Sequence, residues 1–360
     1  MTYDFLIIGG GIAGTSAGAR LSALGTTCLL ETEPALAYHA SGRSAALFEA
    51  NYGHPVTVAL NHASADDHNT LDGGLLSPRG LLMLAGPGEE ATLAHDIATM
   101  DLAEITIPEA QSLIPILDPA HVTRAAHHTA AWDIDTDRMV QHFARMIRVN
   151  GSVQTSQTVT AIDRTDTGWA VTTNTQTLHA RHLVNAAGAW ADEIAKMAGI
   201  TPLGLTPLRR SMARMPAPGG HDVSGWPMLI GAGETWYAKP DAGAWLVSPA
   251  EEDPTTPHDA YADDMVLAEG IARYQPFVTE EVTRVTSTWA GLRTFAPDRC
   301  LVIGPDAAEP SFLWSAGQGG YGFQTAPAAS QLLADLVAGK TPVLDASVVK
   351  ALSPSRLQLN

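Results

Sequence analysis

Cysteine is nearly absent: this chain of 360 residues holds two, Cys28 and Cys300. They lie far apart in unlike contexts, which argues against a disulfide framework or a cysteine-based metal site. Cys28 falls inside an apolar stretch and reads as a small core hydrophobe. Basic residues are also scarce, with 21 Lys and Arg against 38 Asp and Glu, a formal charge of −17. That balance disfavours nucleic acid and anionic membrane as partners, because both reward basic patches. No run of about 18 apolar residues occurs, so no transmembrane segment is expected. No basic leader precedes the first apolar stretch, and the expected location is the cytoplasm. Repeats and low-complexity tracts are missing. His121, His127 and His128 lack metal-ligand spacing, and no metal is expected.

What is present is apolar chain: 45% of residues are hydrophobic and 16% charged, the composition of a compact enzyme of two domains or one large one. The most informative stretch is Ile7-Ile8-Gly9-Gly10-Gly11-Ile12-Ala13-Gly14. Asp4 to Ile8 reads as a buried strand and Ile12 to Leu24 as a helix, with Gly9, Gly11 and Gly14 in the dinucleotide fingerprint at the turn between them. Gly9 serves the tight turn, Gly11 the approach of backbone to a pyrophosphate, and Gly14 close helix-to-strand packing. The helix start, from Ile12 and Ala13, offers unpaired N–H groups and partial positive charge to phosphates. Thr26 to Leu30 reads as the next strand, ending at Glu31, where a carboxylate accepts from ribose hydroxyls and repels a 2′-phosphate. This favours FAD or NAD over NADP.

Further along, Tyr38 to Ala46 predicts a small-residue turn opening a second helix capped by Ser41. Ser41, Gly42, Arg43, Ser44, Ala45 and Ala46 would bring donors to a phosphate or a flavin edge, although Arg43 reads equally as a surface charge. Residues 50–133 interrupt the nucleotide fold. Asp135 to Val149 has helical spacing, and Val153 to Ala180 alternates as a small antiparallel sheet does. Asn185-Ala186-Ala187-Gly188-Ala189-Trp190 ends a buried strand in small residues, either over a cofactor (Ala187, Gly188, Trp190) or in tight core packing. Lys239 to Gly243 reads as a hairpin turn. Finally Gly317-Gln318-Gly319-Gly320-Tyr321-Gly322 leads a strand into a helix from Gln324 to Val337, a second donor-rich helix start.

Taken in order, these segments resemble the FAD-dependent D-amino acid oxidase superfamily, most of all its bacterial D-amino acid dehydrogenases of the D-arginine type. The resemblance is carried by Gly9 to Gly14 with Glu31, Tyr38 to Ala46, Leu75-Leu76-Ser77-Pro78-Arg79, Asn185 to Trp190, Trp289-Ala290-Gly291-Leu292-Arg293 and Gln318 to Gly322. It implies an α/β fold: a discontinuous Rossmann-like FAD domain (1–49, 134–202, 291–360) with an inserted α+β substrate domain on a mixed sheet (50–133, 203–290). It implies noncovalent FAD, since neither cysteine matches the place where sarcosine-oxidase-like relatives attach flavin. It assigns Gly317, Gly319, Gly320, Tyr321 and Gly322 to the pyrimidine end of the flavin, and Arg293, Tyr237, Arg210 and Tyr52 to the substrate carboxylate, with Arg209 able to exchange roles with Arg210.

The implied activity is oxidative deamination of a D-amino acid by hydride transfer from Cα to the flavin. The product imino acid hydrolyses to a 2-oxo acid and ammonia, and oxygen or a quinone reoxidises the cofactor; use of a quinone would bring peripheral attachment at the inner membrane. A guanidinium fork suits such a substrate because it grips a carboxylate with two parallel hydrogen bonds. Leu47 and Leu81 stand where the D-arginine type has a histidine and a glutamate, and with Gly320 and Gln324 they complete the expected pocket. An apolar lining leaves a cationic side chain uncompensated, at about several kcal/mol. The expected substrate is therefore a neutral or cyclic amino acid, unless Leu81 is core and Glu49 or Glu234 supplies the acid. The alternatives are a 2-hydroxy acid or secondary-amine (sarcosine- or glycine-like) dehydrogenase or oxidase on the same fold, an NAD-dependent dehydrogenase, or a noncatalytic FAD-retaining subunit of a hetero-oligomer.

Overall fold

The computed structural model describes residues Thr2–Gln358. β1 (Thr2–Ile8) pairs in parallel with β2 (Thr27–Leu30) on one side and with strand Thr177–Asn185 on the other. Gly151–Gln154 extends the parallel run beyond β2, and Phe312–Ala316 extends it beyond Thr177–Asn185. Strands buried on both faces read as continuous apolar runs, and Phe5 to Ile8 and Cys28 to Leu30 are buried accordingly. α1 (Ile12–Leu21) packs on this sheet and against α2 (Thr136–Val149), which lies on the sheet beside it. Its small residues make the contact: a Cβ on Gly18 would stand 2.7 Å from Ile147 and 3.3 Å from Ile7. Asp135 caps α2 by accepting from the Arg138 N–H at 3.0 Å.

A second, nine-stranded mixed sheet holds the other layer. Its centre runs Thr206–Pro216, Ala244–Ser248, Tyr237–Asp241, Met228–Gly231 and Leu81–Ala85, antiparallel except for the last pair, and Ser287–Phe295 lies along Thr206–Pro216. One face is filled by Trp226, Trp236, Trp245, Tyr274 and Phe277; the other carries Leu81, Met212, Met228, Ile230 and Tyr237 toward the first sheet. A small sheet of Leu47–Glu49, Leu76–Pro78 and Ala131–Ile134 lies between the segments.

Several expectations need correction. Ser41 opens no second helix: Ala40–Arg43 is a single 3-10 turn, Ser44 to Ala46 has no regular structure, and Leu47–Glu49 is a strand. The Ser41 hydroxyl is already spent, accepting from the Ile12 N–H at 3.0 Å, so it caps α1 instead. The stretch expected as one antiparallel sheet is divided. Gly151–Gln154 pairs in parallel with β2, and only Val159 to Ala180 forms the antiparallel edge, on the same sheet as β1. α1 stops at Leu21, because the Leu24 and Gly25 N–H groups turn back onto the Leu21 carbonyl. The boundary placed at residue 290 falls inside Ser287–Phe295, which pairs with Thr206–Pro216 throughout.

Candidate active site

The glycine turn between β1 and α1 admits no side chains where they would matter. Gly9 has φ +111, and a Cβ there would lie 2.3 Å from the Ala186 carbonyl oxygen. On Gly14 it would lie 1.9 Å from the Gly9 oxygen. Gly11 is the residue before α1 and brings no side-chain cap. The Glu31 carboxylate lines the cleft that begins here, but it also braces the turn, accepting from the Gly10 N–H at 2.6 Å and the Glu33 N–H at 2.8 Å. A carboxylate has about four lone-pair sites, so ribose contacts would add to this brace.

From Glu31 a cleft of about 370 Å³ runs past Gly9, Ser41 and Ala187 to Trp190 and Leu292. It continues, through shared walls at Gly11, Gly188 and Gly291, into a cavity of about 150 Å³ that reaches Ala46, Gly319 and Arg293. At that far end stands α3 (Gly322–Val337), whose first turn has no side-chain cap. The glycines before it are tightly held: a Cβ on Gly319 would be 2.3 Å from the Phe295 ring, and on Gly320 2.9 Å from Arg293. A long cleft linking two helix starts, one capped at Ile12 by Ser41 alone and the other without a side-chain cap, and floored by glycines that exclude a Cβ, fits a dinucleotide. Gly9, Gly11, Ile12, Ala13, Gly188, Gly319 and Gly320 are the residues placed to hold it. Two expected donors point elsewhere. The Arg43 guanidinium donates to the Ala260 and Ala290 carbonyls at 2.8 and 3.0 Å and pairs with Asp259 at 2.5 Å, and the Gly319 N–H donates to Thr294 O at 2.9 Å.

Beyond the cleft lies a smaller cavity of about 60 Å³, lined by Leu47, Glu49, Tyr52, Leu81, Met228, Ile230, Glu234, Tyr237, Arg293, Gly320 and Gln324. Strand register brings the two arginines together. Arg210 lies opposite Gly291 and Leu208 opposite Arg293, so Arg210 and Arg293 share a face as diagonal neighbours. Arg209 points to the other face and pairs with Asp253 at 2.9 Å, which excludes it from the exchange. Arg210 is buried and fully occupied: Nε donates to Glu251 O and Nη1 to Glu234, both at 2.9 Å, and Nη2 faces Glu252 at 3.5 Å. It therefore holds Glu234 and has no free fork for a ligand. Arg293 differs. Among the described residues it donates no hydrogen bond, and its nearest carboxylate is Glu234 at 3.7 Å.

The hydroxyl of Tyr52 donates to Glu234 at 2.5 Å, whereas that of Tyr237 meets only the Met212 thioether at 3.4 Å, a weak acceptor. Burial, with Glu234 beside it, pushes the Tyr52 phenol well above its usual range. Burial opposes the Arg293 charge, but the facing Tyr237 and Tyr52 hydroxyls and Glu234 more than offset it and push the guanidinium above its ordinary value. Leu81 is fully buried and still faces the cavity. Glu49 and Glu234 line the same space, so it is not wholly apolar. Glu49 is held by His128 at 2.5 Å, and Gln324 fixes the Glu49 N–H at 2.7 Å.

Sequence reasoning missed Lys239, treated there only as the start of a hairpin turn. It lies on Tyr237–Asp241, two residues from Tyr237 and thus on the same face. Its ammonium donates to the Ala45 carbonyl at 2.8 Å and to Asp133 at 2.6 Å, and Asp133 also binds Arg79 at 2.6 Å. Burial pulls the Lys239 ammonium below its usual range in spite of Asp133. The irregular Ser44 to Ala46 segment, a wall of the cleft, is thereby pinned from behind. Lys239→Met should cost about 3–5 kcal/mol and weaken retention of the dinucleotide at least tenfold, read by chemical denaturation and by cofactor titration of the apoprotein; unchanged retention would remove this role.

Cleft and pocket together define a dinucleotide-binding protein with a guanidinium at the inner end of the cleft. The chain belongs to the FAD dependent oxidoreductase (DAO) family, whose model matches residues 4–336, and it is an FAD-dependent oxidoreductase. It is 25% identical to glycine oxidase of Pseudomonas aeruginosa over 371 residues, covering 96% of this chain and 97% of that one. It is 30% identical over 178 residues to hydrogen cyanide synthase subunit HcnC of the same organism, a match that covers 48% of this chain and 40% of that protein. In fold it is similar to L-proline dehydrogenase from P. horikoshii, with TM-score 0.84 and 22% identity over 99% of this chain and 98% of that one. Among the described residues no helix is long and apolar enough to cross a membrane.

Proposed function

We propose that this protein oxidises a small α-amino acid at its Cα–N bond, a glycine- or sarcosine-like molecule or a cyclic imino acid. The observation that carries the reading is Arg293, a half-buried guanidinium that among the described residues makes no hydrogen bond and has only Glu234 at 3.7 Å, opening into a cavity of about 60 Å³ beside a dinucleotide cleft. A partly desolvated cation without a hydrogen-bonded partner is costly, and a carboxylate would pair it. The Tyr237 hydroxyl, with only a thioether partner, would donate to the same carboxylate. Held at two points, the substrate would present its Cα–H in a near-attack pose, and the narrow apolar walls at Leu47, Leu81 and Ile230 would exclude water. Bound FAD would supply the two-electron acceptor. The similarity to glycine oxidase supports an amine over a hydroxyl substrate, and the secondary amine of proline, substrate of the similar fold, supports an imino acid. The D-configured neutral amino acids expected from the resemblance are the second reading, favoured by the apolar wall at Leu81 and Met228.

Anaerobic mixing of the holoprotein with glycine, sarcosine, proline, a set of D- and L-amino acids and 2-hydroxy acids tests this. Bleaching of the flavin by one of the small amines is expected. Bleaching by hydroxy acids alone, or a clear preference for D-arginine or D-lysine, would overturn the reading, and no bleaching at all would favour a noncatalytic subunit. FAD is held without a covalent bond in this reading, because Cys28 and Cys300 are buried and line neither part of the cleft. Acid precipitation should release all yellow colour to the supernatant; colour retained in the pellet would contradict it.

A further inference from the structure

Arg293 shares its cavity with a carboxylate that is fixed in place. Glu234 accepts from the Tyr52 hydroxyl through Oε2 at 2.5 Å and from Arg210 Nη1 through Oε1 at 2.9 Å. The turn beneath it is also held: Glu234 has φ +55, a costly conformation for a side chain with a Cβ, and the preceding Gly233 N–H donates to Asp96 at 2.8 Å. From this position Oε1 stands 3.7 Å from Arg293 Nη1, beyond hydrogen-bond distance. The cavity thus presents a free donor fork and, next to it, an acceptor with lone pairs to spare, since a carboxylate has about four sites and two are used.

The head group of an α-amino acid carries the complementary pair, a carboxylate and an N–H donor on the adjoining carbon. We propose that Glu234 is a specificity-determining residue: with the substrate carboxylate on Arg293, the substrate amine donates an N–H to Glu234. This rests on the reading of Arg293 as the carboxylate anchor. A carboxylate that lacks an amine places its charge against Glu234 with nothing to offset the repulsion, and such like-charge contacts are what exclude wrong ligands. Primary and secondary amines both keep an N–H and are both accepted. Glu234 stays ionised for this task. Burial works to raise its carboxyl, but Arg293 and Arg210 outweigh it and hold it below the usual carboxylate range, so it is present as a hydrogen-bond-accepting carboxylate.

Glycine and acetate differ by the amine alone and serve as the probes. Acetate affinity is read from the flavin absorbance shift of the holoprotein, and glycine affinity from the same shift or from the concentration dependence of anaerobic bleaching. In Glu234→Gln the acetate Kd should fall at least fivefold while the glycine Kd rises at least tenfold. Glu234→Asp, which withdraws the charge without removing it, should show smaller shifts of the same signs and carries the test if the glutamine variant loses FAD. Both ligands moving in one direction, or neither moving more than twofold, would overturn the inference while leaving the anchor intact. Failure of the anchor has a different signature: Arg293→Lys would leave the glycine Kd of the wild type and the acetate Kd of Glu234→Gln unchanged, in which case both fall.

Discussion

Arg293→Ala should lower kcat/KM by two to three or more orders of magnitude, about 3–5 kcal/mol of transition-state binding, while the protein still retains FAD. The size follows from the environment. The side chain is 22% exposed, and its nearest carboxylate, Glu234, is committed to Arg210 and Tyr52. Among the described residues the neighbouring cations are engaged: Arg210 is held by Glu234, Glu251 and Glu252, Arg209 faces Asp253, Lys239 is bound to Asp133, and Arg299 pairs with Glu252. The retained FAD spectrum separates loss of substrate grip from loss of the fold. A decrease below about tenfold would place the anchor elsewhere. Arg293→Lys should recover part of the binding but not the two-point orientation, because an ammonium is a point charge and cannot match a carboxylate with two parallel bonds.

Gly14→Ala should carry a large structural effect. The new Cβ would lie 1.9 Å from the Gly9 carbonyl oxygen and 3.3 Å from Ala186, both fixed by the parallel sheet, so α1 must move away from β1. Overpacking against backbone that cannot give is expected to cost at least about 3 kcal/mol, and the displaced helix would no longer aim its N–H groups into the cleft. The soluble protein should contain less than a tenth of the normal FAD, read as the ratio of flavin to protein absorbance, and its thermal midpoint should fall with it. Gly225→Ala is the control, since nothing lies within 4 Å of a Cβ there and its φ is not positive; a change within about 0.5 kcal/mol is expected. Normal flavin content in Gly14→Ala would show that the helix start is not what holds the cofactor.

The glycine turn was legible before any coordinates because its requirement is local: a strand, a turn that excludes Cβ atoms and a helix succeed one another within a dozen or so residues. The helix over Thr136–Val149 was legible for the same reason, from apolar residues at helical spacing, and the structure puts its cap at Asp135. Ser41 shows where local reading ends. A serine before small residues is a sound cap signal, yet the helix it caps is α1, an element earlier in the chain, which no periodicity could disclose. Lys239 shows the converse. Its place two residues from Tyr237 put it on the pocket face, but a lysine in a strand is ordinarily solvated, and only its contacts with Ala45 and Asp133 mark it as buried support.

The chain by itself determined the cofactor turn, the strand ends that face it, and the residue types available to grip a carboxylate, because propensity, spacing and alternation act between neighbours along the backbone. Which of those charges are free was decided only by tertiary structure. Arg43, Arg209, Arg210 and Arg293 are alike as residues, and three of them are spent on Asp259, Asp253 and Glu234. The fourth keeps its fork free of hydrogen bonds among the described residues because Glu234, held by Arg210 and Tyr52, stops 3.7 Å short of it and the adjacent Gly320 carries no side chain. A charge is available when no partner reaches it, and the partners here come from segments distant in the chain and brought together by the packing of two sheets.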